Sequence, residues 1–288
     1  MMALASTVIQ VQDLHHTYLR GTPLEMPSLR GVDFQVQLGE AVGLVGPTGS
    51  GKSTLLQHLN GLFRPQQGQV LVAGMSLSDP AVDMRSVRQR VGLLFQNPED
   101  QLFERYAGDD VAFGPRNLGL SADEVRLRVR GAMEAVGLPF DLKDRMTMEL
   151  SQGQRRRLAL AGVLALDPQV LVLDEPTAGL DPRGRRELLQ TLAQWLAEEG
   201  RAVVLATHNM EDVAALCSRV ALLADGKMIL CGSTRDVFSQ HQLLEQHGMT
   251  IPVAAQAMAM LRQRGCAVAI DVLTIDEAAR EIARCFHG

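Results

Sequence analysis

Nine consecutive residues, Gly46-Pro47-Thr48-Gly49-Ser50-Gly51-Lys52-Ser53-Thr54, follow the spacing G-x-x-x-x-G-K-[ST]. These residue types at this spacing suit one chemistry, the grip of a phosphate chain. Successive backbone N–H groups must turn inward around the anion, and glycine reaches that conformation without a Cβ clash. A helix starting at the end of the loop adds the partial positive charge of its N-terminus. Lys52 supplies a mobile cation for the β- and γ-phosphates of a nucleotide, and the Ser53 hydroxyl is a ligand for Mg²⁺. A plain glycine-rich turn is the alternative. The surroundings weigh against it, because the apolar run Ala41–Val45 leads in and a helical pattern leads out.

A second pair of reactive groups, Asp174-Glu175, ends the apolar run Val170–Leu173. A buried strand of an open α/β sheet delivers its last residues to the carboxyl edge, where ligands bind. Asp174 is then placed to join a Mg²⁺ shell, directly or through water. Glu175 is placed to face the γ-phosphate and polarise an attacking water. Taken alone, the same pair also reads as a strand running into an acidic loop.

Elements that could hold these groups are visible along the chain. Val8–Val11 and Val32–Val36 alternate as strands, and Ala41–Val45, Val170–Leu173 and Val203–Ala206 are continuous apolar runs of the kind buried in a parallel sheet. Gln69–Ala73 and Val91–Phe95 read as further strands. Thr54–Leu62 is helical and stops near Gly61 and Pro65. Capping boxes at Ser121–Glu124 and Ser151–Gln154 start two more helices, the first running to about Gly137. Asp181-Pro182 fits N-cap and N1 of a helix reaching about Glu199. Arg219–Ala224 and Lys227–Leu230 form a hairpin about Asp225-Gly226. Past Ser233 the character changes: Pro252 opens a short helix and Thr274–Glu277 caps a terminal one.

Composition narrows the function. With 28 Lys and Arg against 33 Asp and Glu the net charge is −5, which gives no support for duplex DNA as the main partner. The cluster Arg155-Arg156-Arg157 reads as the solvated face of its helix. No run approaches the roughly 18 apolar residues of a membrane-spanning helix. The first fourteen residues lack a basic segment followed by an apolar core, so no signal peptide is expected. Cys217, Cys231, Cys266 and Cys285 include no CxxC pair, and reduced, packed thiols are expected. The expected location is the cytosol, or the inner face of a membrane spanned by other chains.

One ordered set joins these features: the phosphate loop at 46–54, Gln96, Leu150-Ser151-Gln152-Gly153-Gln154, Asp174-Glu175, Ala178-Gly179-Leu180-Asp181 and His208. From residue 8 to about 240 the chain resembles the ATPase subunit of ATP-binding cassette (ABC) transporters. The segments Gly21–Glu25, Gln57–Gly61, Phe95–Glu104 and Asp110–Gly119 are similar to the energy-coupling-factor (ECF) group, the cobalt and vitamin uptake ATPases. The resemblance implies an α/β P-loop NTPase cassette at 1–239, with a mixed sheet core, an antiparallel β edge and a helical subdomain at about 97–166. Residues 240–288 are expected as a small α/β annex and possible dimer contact.

The resemblance also implies roles. ATP lies between two cassettes arranged head to tail. One contributes Gly46, Pro47, Thr48, Gly49, Ser50, Gly51, Lys52, Ser53, Thr54 and Gln96, with Tyr18 stacking on the base. Stacking selects bases weakly, so GTP stays open. The other contributes Ser151, Gln152, Gly153, Gln154 and Asp181. Gln152 departs from the family form LSGGQ, and its effect is left open. Lys52, Glu175 and His208 carry catalysis. Ser53, Gln96 and Asp174 hold Mg²⁺, the cofactor. The implied partners are a second ABC ATPase, identical or a sister chain, a transmembrane coupling protein docked beside Gln96–Arg105, and a small membrane substrate-binding protein. The implied work is ATP-driven uptake of a vitamin or transition-metal ion from the cytoplasmic face of the cell membrane. The ATPase of another ABC importer, or a soluble ATP-gated clamp, shares the same motifs. A non-hydrolysing cassette fits less well, since Lys52, Glu175 and His208 are all present.

Overall fold

The computed structural model describes residues 7–287. Residues 1–6, which form part of the segment read for a signal peptide, and residue 288 of the expected annex lie outside them. The chain opens with β1 (Thr7–Tyr18), β2 (Met26–Gln37), β3 (Ala41–Val45), α1 (Lys52–Leu59), β4 (Gln67–Val72), β5 (Met75–Ser76), α2 (Met84–Arg90) and β6 (Val91–Leu94). Three helices follow, α3 (Ala107–Asn117), α4 (Ala122–Ala135) and α5 (Gln152–Leu164). Strands and helices then alternate as β7 (Val170–Asp174), α6 (Pro182–Leu196), β8 (Ala202–Ala206), α7 (Met210–Leu216) and β9 (Arg219–Ala224). β10 (Lys227–Ser233) precedes α8 (Thr234–Ser239), α9 (His241–Gln246), α10 (Val253–Gln263) and α11 (Ile275–His287).

Two sheets result. The first, in the order β2-β1-β4-β5, is antiparallel throughout. The second runs β10-β9-β3-β8-β7-β6, with only β10 antiparallel, at its edge. Every residue of β3, β7 and β8 is buried, which is why these strands read as unbroken apolar runs. The edge strand β10 instead alternates exposed with half-buried positions.

Register decides where the chemistry goes. Leu44 of β3 and Asp174 of β7 both pair with Ala206 of β8. The three strands therefore end at one level. The phosphate loop, Glu175 and Thr207-His208 leave the same edge side by side. One apolar cluster, around Leu55, Leu59 and Val172, fills the space between the two sheets and under α1. Another, around Leu158, Leu171, Leu188 and Val213, covers the opposite face of the second sheet.

Several expectations change in detail. β1 extends to Tyr18, beyond Val11, because Gln12, Asp13 and His15 interrupt the apolar alternation around a bulge with Asp13 at φ 46°. α3 carries Gly108, Gly114 and Pro115, which hide it from a propensity reading. Gly114 is there for close packing, since a Cβ would lie 2.6 Å from Leu166. The annex is helical rather than α/β: among its described residues only α9, α10 and α11 are regular. Its apolar Val268 and Val272 are buried in a small cluster with Met258, but no strand lies beside them to complete a ladder. Arg155–Arg157 do not form a solvated face either, because all three are half-buried. Arg157 donates to Glu187 at 2.8 Å and to the Val136 carbonyl at 3.3 Å, bridging α5 to α6 and to the end of α4. All four cysteines are free; Cys217 is buried and Cys231 exposed.

Candidate active site

Residues 46–51 wrap into a loop whose last turn becomes α1. Gly46 has φ 151°, and a Cβ there would run into the Leu223 carbonyl. Gly51 has φ 105°, and a Cβ would sit 2.7 Å from the Ser28 carbonyl. Both glycines are thus required by conformation and by close backbone approach. The loop is docked on the β9–β10 turn, where the Gly226 N–H donates to the Ser50 carbonyl at 3.1 Å. Lys52 Nζ lies across the loop and donates to the carbonyls of Gly46 (2.8 Å) and Pro47 (2.9 Å). Burial lowers the Lys52 pKa, while the charges of Glu175 and Asp174 oppose that shift. The first turn of α1 carries no acid to compete for the loop's anion site.

Asp174 is the final residue of β7 and is buried. Burial raises its pKa; a hydrogen bond with Ser53 acts the other way, Glu175 adds to the rise, and Lys52 opposes it. Glu175 stands in the left-handed region at φ 51°, a conformation that costs a non-glycine residue about 1–3 kcal/mol. Its own N–H donates to the Ala206 carbonyl at 2.8 Å. The carboxylate is tied to the end of β8. Oε1 accepts from the His208 backbone N–H at 3.0 Å and meets His208 Nδ1 at 2.8 Å. Oε2 accepts from Thr207 Oγ1 at 3.2 Å. The His208 side chain is 75% exposed, so its other edge faces outward.

Tyr18, Thr48, Gly49, Gly51, Lys52, Ser53, Thr54, Gln96, Asp174 and Glu175 line one cleft, together with Met26 and Ser28. Gly46, Pro47 and Ser50 complete the loop behind it. The Tyr18 hydroxyl shares a hydrogen bond with Thr54 Oγ1 at 2.9 Å, and the Ser28 hydroxyl meets the same atom at 2.9 Å. The Tyr18 ring stands edge-on to His16, centroids 4.6 Å apart. The aromatic ring is therefore fixed to the helix that follows the phosphate loop. Ser53, Asp174 and Gln96 bring hydroxyl, carboxylate and amide oxygens to this cleft, a hard donor set that fits Mg²⁺.

Ser151, Gln152, Gly153, Gln154 and Asp181 do not line that cleft. They head two other helices. Ser151 Oγ accepts from the Gln154 N–H at 3.2 Å, and Gln154 Oε1 accepts from the Ser151 N–H at 2.9 Å. Asp181 Oδ1 accepts from the Gly184 N–H at 2.7 Å and caps α6. Ser151, Gln152 and Asp181 are exposed, and beyond its own helix turn a Gly153 Cβ would face open space among the described residues. Two cleft residues escaped the sequence reading, Ser28 and Met26, brought in by the register of β2 with β1, and so did the buried Thr207 that holds Glu175. The position of Thr207 at the end of a buried strand, next to His208, was the one signal available for it.

Comparison with known proteins agrees with this geometry. The profile of the family described as ABC transporter matches residues 29–178. A shorter match, at 147–212, is to the family described as AAA domain, putative AbiEii toxin, Type IV TA system. The energy-coupling factor transporter ATP-binding protein EcfA2 of Symbiobacterium thermophilum is 50% identical over 280 residues, 97% of each chain. The EcfA1 protein of Caldanaerobacter subterraneus subsp. tengcongensis is 40% identical over 277 residues, 96% of this chain and 99% of that one. Among solved structures, cbiO1 from Clostridium perfringens, described as part of the ABC transporter complex cbiONQ, superposes with TM-score 0.72. It shares 36% identity, covering 83% of this chain and 94% of that chain. The MJ0796 cassette, solved as a dimer in a post-hydrolysis state bound to ADP and Pi, also gives TM-score 0.72, with 26% identity over 78% of this chain and 98% of that one. With a phosphate loop, an anchored carboxylate and relatives of this kind matched along nearly the whole chain, the protein belongs to the ABC transporter ATPases, among the energy-coupling factor transporter ATP-binding proteins.

Proposed function

We propose that this chain is the ATP-hydrolysing motor of an ECF-type importer that takes up a vitamin or transition-metal ion. The observation that carries the proposal is the division of the site. A complete phosphate cradle and an anchored carboxylate occupy one cleft, while two exposed helix N-termini stand outside it, one capped by the neutral Ser151, which suits an anion, and one by the carboxylate of Asp181. The cleft of one cassette binds ATP, and Ser151–Gln154 and Asp181 of a second cassette, identical or a sister chain, close over it.

Within the cleft the loop amides and Lys52 hold the β- and γ-phosphates, and Tyr18 stacks on the base. Glu175, held by His208 and Thr207, orients water for in-line attack and draws its proton. His208 Nδ1 is engaged by Glu175, so Nε2 is the nitrogen left for a γ-phosphate oxygen. Ser53, Asp174 and Gln96 would hold Mg²⁺, which when bound neutralises charge on the phosphates. Closure on ATP and reopening after product release then work on membrane partners docked beside Gln96–Arg105: a transmembrane coupling protein and a small substrate-binding membrane protein. The chain itself sits at the cytoplasmic face; among the described residues no helix is long and apolar enough to cross a membrane. Residues 240–288 contribute to pairing of the cassettes.

Purification tests the transport reading against a soluble clamp. The full chain, expressed at native level in its own cell, should be recovered from the membrane fraction with hydrophobic partner chains. Recovery only from the soluble fraction, free of such chains, would contradict it.

A further inference from the structure

Behind the cleft, Asp212 in the first turn of α7 carries a carboxylate with no exposed surface. It accepts from Thr177 Oγ1 at 2.5 Å, two residues after Glu175, and from Arg185 Nε. The same Arg185 donates through Nη2 to Asn209 Oδ1 at 2.6 Å. Asn209 follows His208 and caps α7, and its N–H donates to Thr207 Oγ1 at 3.1 Å. Thr207 in turn donates to Glu175 Oε2 at 3.2 Å. These bonds close a ring from Glu175 through Thr207, Asn209, Arg185, Asp212 and Thr177 back to the segment that begins at Glu175. Arg185 also belongs to the first turn of α6, its N–H donating to the carbonyl of the N-cap residue Asp181 at 2.9 Å.

We infer that Arg185 is a positioning residue for hydrolysis: it locks the Asp181-headed turn to the Glu175–His208 pair, so that a partner cassette pressing on Asp181 sets the angle of the carboxylate. The inference rests on the proposed ATPase function and on Asp181 facing the partner. The residue type follows from the geometry. Two acceptors, Asp212 Oδ1 and Asn209 Oδ1, need two donors in a fixed fork, which guanidinium supplies and ammonium does not. The buried Asp212 carboxylate also needs a cation opposite it, and that demand alone a lysine meets.

Arg185→Lys separates the two demands. In the full chain, purified with its partner chains, this variant should melt within a few degrees of the native protein and bind ATP with affinity changed less than twofold. Its kcat should fall by roughly ten- to a hundredfold, the size expected when a catalytic group is displaced by up to about 1 Å. Asn209→Ser, which keeps a capping hydroxyl for α7 but withdraws the acceptor from Arg185, should lower kcat by a similar factor, and it serves alone should Arg185→Lys not fold. The double variant should be no slower than the worse single one, because both break one link. Native kcat in the singles, a loss confined to KM, or additive losses in the double would overturn the inference. Native protein and Glu175→Gln run alongside keep the failures apart. If the native protein fails to hydrolyse ATP, the proposed function falls; if it turns over, Glu175→Gln stops it and both singles run normally, only the role of Arg185 falls.

Discussion

The cleft and the partner-facing helix ends treat their polar groups in opposite ways. In the cleft, Lys52, Asp174, Glu175 and Thr54 are held by neighbours from several elements, and Glu175 is kept in a left-handed conformation to aim its carboxylate. At the helix ends, Ser151 and Asp181 bond within their own first turns, as ordinary caps, and are exposed. Strain and cross-linking mark the region that does its chemistry within one chain. Self-sufficient capping on an exposed helix end marks a region that waits for something from outside.

That contrast can be broken at several points. The largest effect belongs to Glu175→Gln. Removing the base should lower turnover by about 10²–10⁴-fold while ATP still binds, since the phosphate loop is untouched; steady-state hydrolysis beside nucleotide binding measures both. Near-native turnover would strip Glu175 of its role and the cleft of its distinction.

Acid offers a second test, because it reaches the packing beneath the phosphate loop. His58 of α1 is fully buried, and burial pushes its pKa down to about 4. Its Nδ1 donates to the Thr54 carbonyl at 2.7 Å. Between pH 6.5 and 4 the unfolded chain binds a proton there that the folded chain does not. Stability should therefore fall with pH across that window, by about 3 kcal/mol at its lower end. His16, packed on His58 with its pKa also lowered by burial, acts with the same sign. Urea unfolding against pH should show the slope, and His58→Leu should flatten it; a native protein as stable at pH 4.5 as at pH 7 contradicts the assignment.

Smaller effects sharpen the comparison as a pair. Lys52→Ala removes charge-assisted bonds to phosphate and should weaken ATP binding to a lone chain by roughly ten- to a hundredfold. Ser151→Ala should leave lone-chain affinity unchanged. It should cost the helix about 1 kcal/mol as a lost cap and lower turnover of the paired cassettes by a smaller factor. Titration of a fluorescent ATP analogue separates them: equal affinity losses in both variants would mean that the two regions serve one chain.

The same contrast explains what could be read from residues alone. The phosphate loop and Asp174-Glu175 were legible because local spacing carries their chemistry, and the capping boxes at Ser121 and Ser151 because a cap is a four-residue event. Ser28, Thr207 and Asp212 were not, since strand register and helix packing bring them to Thr54, Glu175 and Thr177. Arg157 looked solvated because a single helix gives no hint of Glu187 on another. The α/β annex expected past residue 240 did not appear, because Val268 and Val272 pack into a small cluster with Met258 and no strand lies beside them among the described residues.

Association under ATP tests the shared site most directly. Glu175→Gln, with the ATPase chain that co-purifies with it or with a second copy of itself, is to be followed by sedimentation as MgATP is added. The account predicts that ATP drives two cassettes into one stable particle, and that Ser151→Ala in the partner shifts its formation to higher ATP or protein concentration. A chain that binds ATP fully while its mass stays that of one cassette would contradict the claim that the nucleotide is held between two.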